Sequence, residues 1–353
     1  MINDKAMHEV IKKGLDKMYN FEFAKAEEYY KELKKDYPDH PAYNFLMASN
    51  LYWQMFYNDT YKDKAAEYFK LLEASLAQAS KYLEKNSKDV EGVFFTMAIE
   101  SSIALYYAER DENMKTVSHA KKAYSAMKEG FGLKDSYEDF YFSTGVYDYF
   151  VVQYPETHPV YKPFMFFFTK GDKKRGIKEL EHGVENGVFS RTECLHYLAH
   201  IYLKYENIPS SALLYTEKLL KKYPDNLYFM VRHVEGLIAT EKYKEAEFYS
   251  YKLYSTGKKP FVMRSYVFYG MLNEKYFKKP DESMRYYKAA LKYASELNQP
   301  TGDFPGFAYA GIARLYHQQG NTEMAVEYYE KAEDVADYAW LRKEIKEYLD
   351  KYD

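Results

Sequence analysis

The sequence has little of several features on which classes of function depend. Its single cysteine, Cys194, excludes an internal disulfide and any cysteine-rich metal site. Proline (11) and glycine (16) are sparse in 353 residues, and no stretch has the composition of a flexible linker. No run approaches the roughly 18 consecutive apolar residues of a membrane-spanning helix. The composition therefore predicts one continuous folded chain without a membrane span.

An excess of one charge is also lacking. The 50 basic and 53 acidic residues leave a net charge of −3, with both signs mixed along the chain. We therefore expect neither nucleic acid nor an anionic membrane as a partner. The first residues, MINDKAMHEVIKKG, contain no apolar core of signal-peptide length. We expect a cytoplasmic location, or a periplasmic one if a signal peptide was trimmed from the sequence.

Aromatic residues are abundant, with 42 tyrosines and 23 phenylalanines. Tyrosine buries a large ring while its hydroxyl stays in contact with water, so it suits both helix interfaces and the walls of a groove. The tyrosine content therefore favours helices that pack through repeated aromatic positions.

The clearest internal repeat is residues 309–332, YAGIARLYHQQGNTEMAVEYYEKA. It has the spacing of two amphipathic helices with a break at Gly320–Asn321. Small residues such as Ala313 and Ala325 let the helices approach, and aromatic residues such as Tyr316 fill the spaces beside them. This unit resembles the consensus of the tetratricopeptide repeat (TPR) family at nearly every signature position.

Weaker copies of this unit recur along the chain. Matching small and aromatic residues, several followed by a proline, occur within 21–38, 198–224 and 269–290. The resemblance implies an all-α fold in which helical hairpins stack into a right-handed superhelical solenoid. The predicted helix pairs lie near residues 3–39, 40–86, 88–130, 135–187, 189–223, 225–257, 260–297 and 304–333. We predict a single solenoid over 1–353, atypical repeats near 60–187 and a polar-faced capping helix at about 338–352.

The atypical middle contains an aromatic segment with three prolines. Pro155, Pro159 and Pro163 are expected to break the helical pattern. The apolar run 164–168 is too short to span a membrane. Two interpretations stay open for this segment: it forms part of a ligand groove, or it packs across neighbouring helices.

One polar constellation has the spacing of a site. Glu193, His196 and His200 lie at i, i+3 and i+7, so they share a helix face. Two histidines four residues apart can chelate Zn²⁺, with a carboxylate as a further ligand. No glutamate follows His196 directly, so the HExxH protease pattern is absent. Packing, ligand contact and metal binding remain alternatives for these side chains, and we predict no bound metal or cofactor.

The TPR resemblance implies which side chains face the concave groove, where members of the family hold peptides. Arginine suits this role because its planar fork binds a carboxylate through two hydrogen bonds. The asparagines of the TPR carboxylate clamp are missing, with His200 and Glu235 at the equivalent positions. The predicted partner-binding residues are Glu193, His196, Tyr197, His200, Tyr228, Arg232, Glu235, Arg264, Phe268 and Arg314.

The sequence therefore predicts a protein–protein interaction scaffold that binds a peptide or partner protein in its concave groove. No Gly-rich phosphate loop or nucleophile–base pair is present, so we expect no enzymatic activity. The alternative is a small-molecule or metal site built from the atypical middle with His196 and His200. That alternative predicts that Tyr149, His158, Glu193 and His200 converge in one enclosed polar pocket.

Overall fold

A computed structural model describes residues 4–187 and 189–352 of the chain. Within these residues it contains α-helices and short 3₁₀ and π segments, and no strand. The α-helices are α1 (Lys5–Tyr19), α2 (Phe23–Asp36), α3 (Pro41–Asn58), α4 (Tyr61–Lys85), α5 (Val90–Ala108), α6 (Asn113–Gly130), α7 (Phe140–Thr157), α8 (Lys173–Asn186), α9 (Arg191–Lys204), α10 (Pro209–Lys222), α11 (Leu227–Ala239), α12 (Tyr243–Ser255), α13 (Lys259–Leu272), α14 (Pro280–Ser295), α15 (Phe304–Gln318), α16 (Thr322–Glu333) and α17 (Ala339–Tyr352).

Helices α1 to α16 fall as pairs in the eight predicted ranges to within one residue, and α17 follows them. The predicted all-α solenoid of helical hairpins is confirmed. The hairpin signals act as predicted: Gly320 adopts a positive φ of 78° between α15 and α16. The side chain of Asn321 then accepts a hydrogen bond from the Met324 amide and caps α16.

The contacts divide the chain into two compact units. Unit 1 comprises the described residues up to Phe56 and those from Thr60 to Leu198. Unit 2 comprises Tyr57–Asp59 and the described residues from Ala199 onward. The prediction of a single solenoid over the whole chain stays a prediction.

Buried tyrosines fill the spaces between helices, as the composition predicts. In unit 1, Tyr30 of α2 lies against Gly14 of α1, where a Cβ would overlap its ring. In unit 2, Tyr287 of α14 is fully buried between Gly270 and Gly311, again without room for a Cβ. Glycine at these positions therefore serves close packing of a ring and not a turn.

The middle of unit 1 departs from the regular hairpins in the predicted place. Helix α4 has 25 residues and α5 has 19, so both are long. The prediction that Pro155 breaks the helix is wrong, because α7 continues through it to Thr157. Pro155 has no amide hydrogen to donate to the carbonyl four residues earlier, so α7 continues despite the loss of one helical hydrogen bond near its end. Pro159 and Pro163 instead lie in a 3₁₀ segment, Pro159–Phe167.

His233 is a buried histidine in the core of unit 2. Its Nδ1 lies 2.9 Å from the Thr216 hydroxyl, and its ring meets Tyr249 edge-on. Burial, together with the positive charge of nearby Lys242, lowers the pKa of His233 to about 4 from an ordinary value of 6.5. The folded state therefore favours the neutral ring.

Stability should consequently fall as the pH drops from about 6.5 towards 4, because the unfolded chain then binds a proton that the folded chain does not. We expect His233→Gln to flatten this dependence when urea unfolding is measured at pH 7, 6 and 5. An unchanged pH slope in a folded His233→Gln variant would contradict this assignment.

Among the described residues, no helix is both long and apolar enough to cross a membrane.

Candidate functional site

Four of the predicted site residues, Glu193, His196, Tyr197 and His200, lie on α9. Glu193 accepts a hydrogen bond of 2.5 Å from the Tyr19 hydroxyl. Burial raises the pKa of the Glu193 carboxyl, and the hydrogen bond from Tyr19 partly offsets that rise. The ring of His196 lies edge-on to Tyr197, at 5.7 Å between centroids, and His200 lies edge-on to Tyr205 at 5.6 Å. None of these α9 side chains is fully exposed.

The metal or small-molecule alternative gains no support from unit 1. Tyr149 is buried where α7 meets Gly176 of α8, and His158 ends α7 beside Tyr161. Glu193 instead faces α1 through Tyr19. In the part of the chain that the structure describes, no three His, Cys, Asp or Glu side chains are grouped to hold a metal ion.

Three further predicted residues form a polar cluster on α11 in unit 2. Arg232 donates hydrogen bonds to Glu235 at 3.0 Å and to the Tyr338 hydroxyl at 2.7 Å. The Tyr338 hydroxyl in turn donates to Glu235. Tyr228 lies beneath the Arg232 guanidinium, 5.7 Å from ring centroid to Cζ. The sequence predicts that these α11 side chains bind a partner, and in the structure Arg232 and Glu235 are hydrogen-bonded to the chain's own Tyr338.

The two predicted residues of α13 are enclosed. Arg264 donates to the Pro260 carbonyl at 2.7 Å, and burial lowers its pKa to about 10. Its guanidinium lies 5.1 Å from the Phe304 ring centroid. Phe268 is fully buried and also packs edge-on to Phe304. The prediction that Phe268 contacts a partner is therefore corrected: it is a core residue, because its apolar ring gains most from leaving water.

A second cluster in unit 2 has no counterpart in the sequence predictions. Lys204, at the end of α9, lies 3.0 Å from Asp303 and 3.2 Å from Asp337. Asp303 also accepts a hydrogen bond from the Asp337 amide at 3.0 Å. Burial opposes the charge on Lys204, but Asp303 and Asp337 more than offset it and raise the pKa of this ammonium group. The cluster fixes the segment before α17 against α9.

The last predicted residue, Arg314, lies at the centre of a third cluster. It donates to both carboxylate oxygens of Glu274, at 2.5 and 3.0 Å, and to Glu344 of α17 at 2.8 Å. Tyr287 and Tyr329 donate to Glu274 and Glu344 at 2.6 and 2.9 Å. Burial opposes the charge on Arg314, yet the carboxylate of Glu274 keeps the pKa of Arg314 well above its ordinary value. The cluster holds α17 on α15 and α16.

Helix α17 borders a cleft of about 490 Å³, which we call the α17 cleft. Tyr348 stacks on Tyr329 and Tyr352, with centroids 4.4 and 4.6 Å apart, and its hydroxyl lies 3.0 Å from His317 Nδ1. Glu344 joins the cleft to the Arg314 cluster. The cleft is lined by Asn207, His317, Tyr329, Trp340, Lys343, Glu344, Glu347, Tyr348, Lys351 and Tyr352.

The sequence contained a signal for the α17 cleft that a prediction of a polar capping helix overlooked. Trp340, Glu344, Tyr348 and Tyr352 recur every four residues, so they form one stripe along α17. Tyr348 and Tyr352 follow buried Leu341 and Ile345 on nearly the same face of α17, so the spacing alone does not separate a cleft from the buried face of a capping helix.

The comparisons with known proteins agree with the helical hairpins. Residues 262–337 match the family model described as "Tetratricopeptide repeat". These helices are similar to tetratricopeptide repeats. The matched segment runs from α13 to the residue before Tyr338, and so includes Arg314 and both acidic partners of Lys204.

Three solved structures are similar to this chain along most of its length. A tetratricopeptide repeat protein from Parabacteroides merdae is 14% identical, with 98% of each chain covered and a TM-score of 0.39. Human IFIT1, in a dimer with PPP-AAAA, is 14% identical, covering 94% of this chain and 95% of that one, with a TM-score of 0.37. Yeast Tom70 is 12% identical, covering 99% and 96%, with a TM-score of 0.27. At these scores the likenesses carry no argument about binding. No curated protein matches the sequence.

Proposed function

We propose that this protein binds a segment of a partner protein in the α17 cleft of unit 2. The tetratricopeptide repeat is in general a protein-interaction scaffold, and its family supports a non-catalytic role. The observation that carries the proposal is the open aromatic stripe of Trp340, Tyr348 and Tyr352. Tyrosine and tryptophan are the residues most enriched among those that dominate protein interfaces.

The charges around the stripe suit a polypeptide better than a uniformly charged ligand. Lys343 and Lys351 lie beside Glu344 and Glu347 on the cleft. Mixed signs at a rim contribute specificity more than affinity, and the rings supply most of the buried apolar area. The Arg314 cluster fixes Glu344 and Tyr329 before binding, which reduces the ordering cost of association.

In unit 2, Tyr338 covers two of the side chains that the sequence predicts to bind a partner in the groove. A partner that reaches the polar atoms of Arg232 and Glu235 must first displace Tyr338, which now bonds to both. The α17 cleft requires no such displacement. We therefore place the first contact of a partner at α17 and keep His200 and Tyr228 as predicted secondary contacts.

Catalysis is not part of the proposal. Burial raises the pKa of the Cys194 thiol, and this side chain lies against Gly183 in the core of unit 1. A nucleophilic cysteine needs the opposite environment, partly exposed and electropositive. Cys194 therefore serves packing.

Site-specific crosslinking tests the α17 cleft. A photo-crosslinking amino acid at position 348 should capture a partner protein in cells of the source organism. The same amino acid at Lys346, an exposed position on another face of α17, should not. Tyr348→Ala/Tyr352→Ala should then weaken binding of the captured partner by about 10- to 100-fold by calorimetry, as expected for interface aromatics.

The matched control for affinity is Lys346→Ala/Asp350→Ala, which changes exposed α17 positions outside the cleft lining. Circular dichroism should show that both double variants stay folded. A partner captured equally at 346 and 348, or bound equally by both double variants, would place the working surface elsewhere.

A further inference from the structure

Unit 1 presents an exposed apolar stripe on the 3₁₀ segment Pro159–Phe167. In a 3₁₀ helix, residues three apart lie above one another, so Val160, Pro163 and Phe166 share one face. All three are exposed, and Phe166 has 77% of its surface accessible. Phe167 beside it is also exposed, and its ring centroid lies 3.9 Å from that of Phe166. We call Val160, Pro163, Phe166 and Phe167 the Phe166 patch.

The segment that carries the patch is anchored at both ends. At its start, the Tyr161 ring packs against the rings of Tyr154 of α7 and of His158, the C-cap of that helix. At its end, the Thr169 amide donates to the Tyr124 hydroxyl at 3.0 Å, and the Tyr147 hydroxyl donates to the Thr169 carbonyl at 2.5 Å. These bonds hold the backbone of the segment in place while the apolar Phe166 ring stays exposed to water.

Three lysines flank the patch. Lys121 lies over the Phe167 ring, 3.3 Å from its centroid, Lys162 is exposed within the segment, and Lys170 is exposed three residues after its end. The nearby carboxylates are Asp111, whose charge acts on Tyr161, and Glu156. Among the ion pairs of the described residues none involves these three lysines, whereas neighbouring Lys173 pairs with Glu156. A ligand of this surface must therefore bring both apolar groups and negative charge.

We propose that the Phe166 patch docks an acidic partner segment, in which a large apolar side chain is flanked by aspartate or glutamate. Two turns of a 3₁₀ helix span about 12 Å, which matches two turns of a partner helix. A lipid surface fits less well, because interfacial binding scales with the apolar area that is buried, and the Phe166 patch exposes only four apolar side chains. The patch belongs to unit 1, so this proposal is independent of the α17 cleft.

Peptide selection tests the proposal without a known partner. Random 12-residue peptides displayed on phage are selected on the full chain and counter-selected on Phe166→Ser. We expect a consensus of one or two large apolar residues flanked by acidic ones. A fluorescein-labelled consensus peptide should bind at least tenfold more weakly to Phe166→Ser and to Lys121→Glu, and more weakly as salt is raised.

Matched controls separate the patch from general effects. Phe248→Ser removes another exposed phenylalanine, and Lys81→Glu reverses another exposed lysine, so neither should change peptide affinity. Equal thermal unfolding of all variants shows that they are folded. A consensus without acidic residues, or peptides that bind Phe166→Ser as wild type, would overturn the proposal.

Sedimentation with lipid vesicles tests whether the ligand of the Phe166 patch is a lipid surface and not a protein segment. The vesicles consist of phosphatidylcholine and phosphatidylserine. We expect the chain to stay in the supernatant. Binding to vesicles that Phe166→Ser abolishes, with no peptide selected, would assign the patch to an anionic membrane and overturn the proposal. Crosslinking from position 348 should be unaffected by Phe166→Ser. The result for the Phe166 patch is therefore independent of the result for the α17 cleft.

Discussion

Arg314→Met is expected to lower the free energy of unfolding by about 3–5 kcal/mol. The substitution leaves Glu274 and Glu344 without the guanidinium that bridges them, and removing one partner of a buried ion pair costs about that much. Most of this loss comes from leaving the buried Glu274 carboxylate without a positive partner, because Glu274 is nearly enclosed. Its remaining hydrogen bond comes from the neutral Tyr287 hydroxyl. Urea unfolding followed by circular dichroism measures the loss.

Two variants test whether burial causes this loss. Arg285→Ala removes an exposed pair with Glu282 and should change stability by less than about 0.5 kcal/mol. Adding Glu274→Gln to Arg314→Met removes one stranded carboxylate and should recover about 1–3 kcal/mol. If Arg314→Met and Arg285→Ala lower the free energy of unfolding by the same amount, burial of the Arg314 ion pairs is not the cause of the loss.

Gly311→Ala is expected to destabilise unit 2 by about 3 kcal/mol, at the upper end of the range for overpacked cores. A Cβ at this position overlaps the ring of Tyr287, which is already enclosed on its other side by Gly270. Helix propensity alone favours alanine by about 1 kcal/mol, so the steric effect must outweigh a gain. Moving the ring would also disturb its 2.6 Å hydrogen bond to Glu274.

Gly132→Ala provides the matched comparison. No heavy atom lies within 4 Å of a Cβ built at Gly132, so this substitution should be neutral or slightly stabilising. Thermal and urea unfolding of both variants give the comparison. A neutral Gly311→Ala would show that the Tyr287 ring moves aside at no cost.

The helical hairpins could be predicted from the sequence because their signals are local. The spacing of Ala313 and Tyr316 and the break at Gly320–Asn321 involve residues within one or two turns of each other. Such patterns fix which face of a helix is buried, whatever it packs against. Pro155 was misjudged because its effect depends on its distance from the helix end, which composition does not fix.

The candidate site could be predicted only in part. Arg232, Glu235 and Arg314 were identified as inner-face residues from the TPR resemblance, and they do lie in polar clusters. Their partners were not identified, because Tyr338 is 106 residues from Arg232. The aromatic stripe of α17 was visible in the spacing, but a capping helix shows the same periodicity on its buried face.

The sequence by itself determined the helices, their pairing into repeats and the small and aromatic positions that let them pack, because these depend on periodicity over a few residues. The tertiary structure alone decided that Lys204 pairs with Asp303 and Asp337, 99 and 133 residues away. It also decided that the Tyr338 hydroxyl forms hydrogen bonds with Arg232 and Glu235. Among 50 basic and 53 acidic residues, no local pattern specifies which charges meet. Their pairing follows from where the packed helices place them, since a buried charge is stable only beside an opposite one.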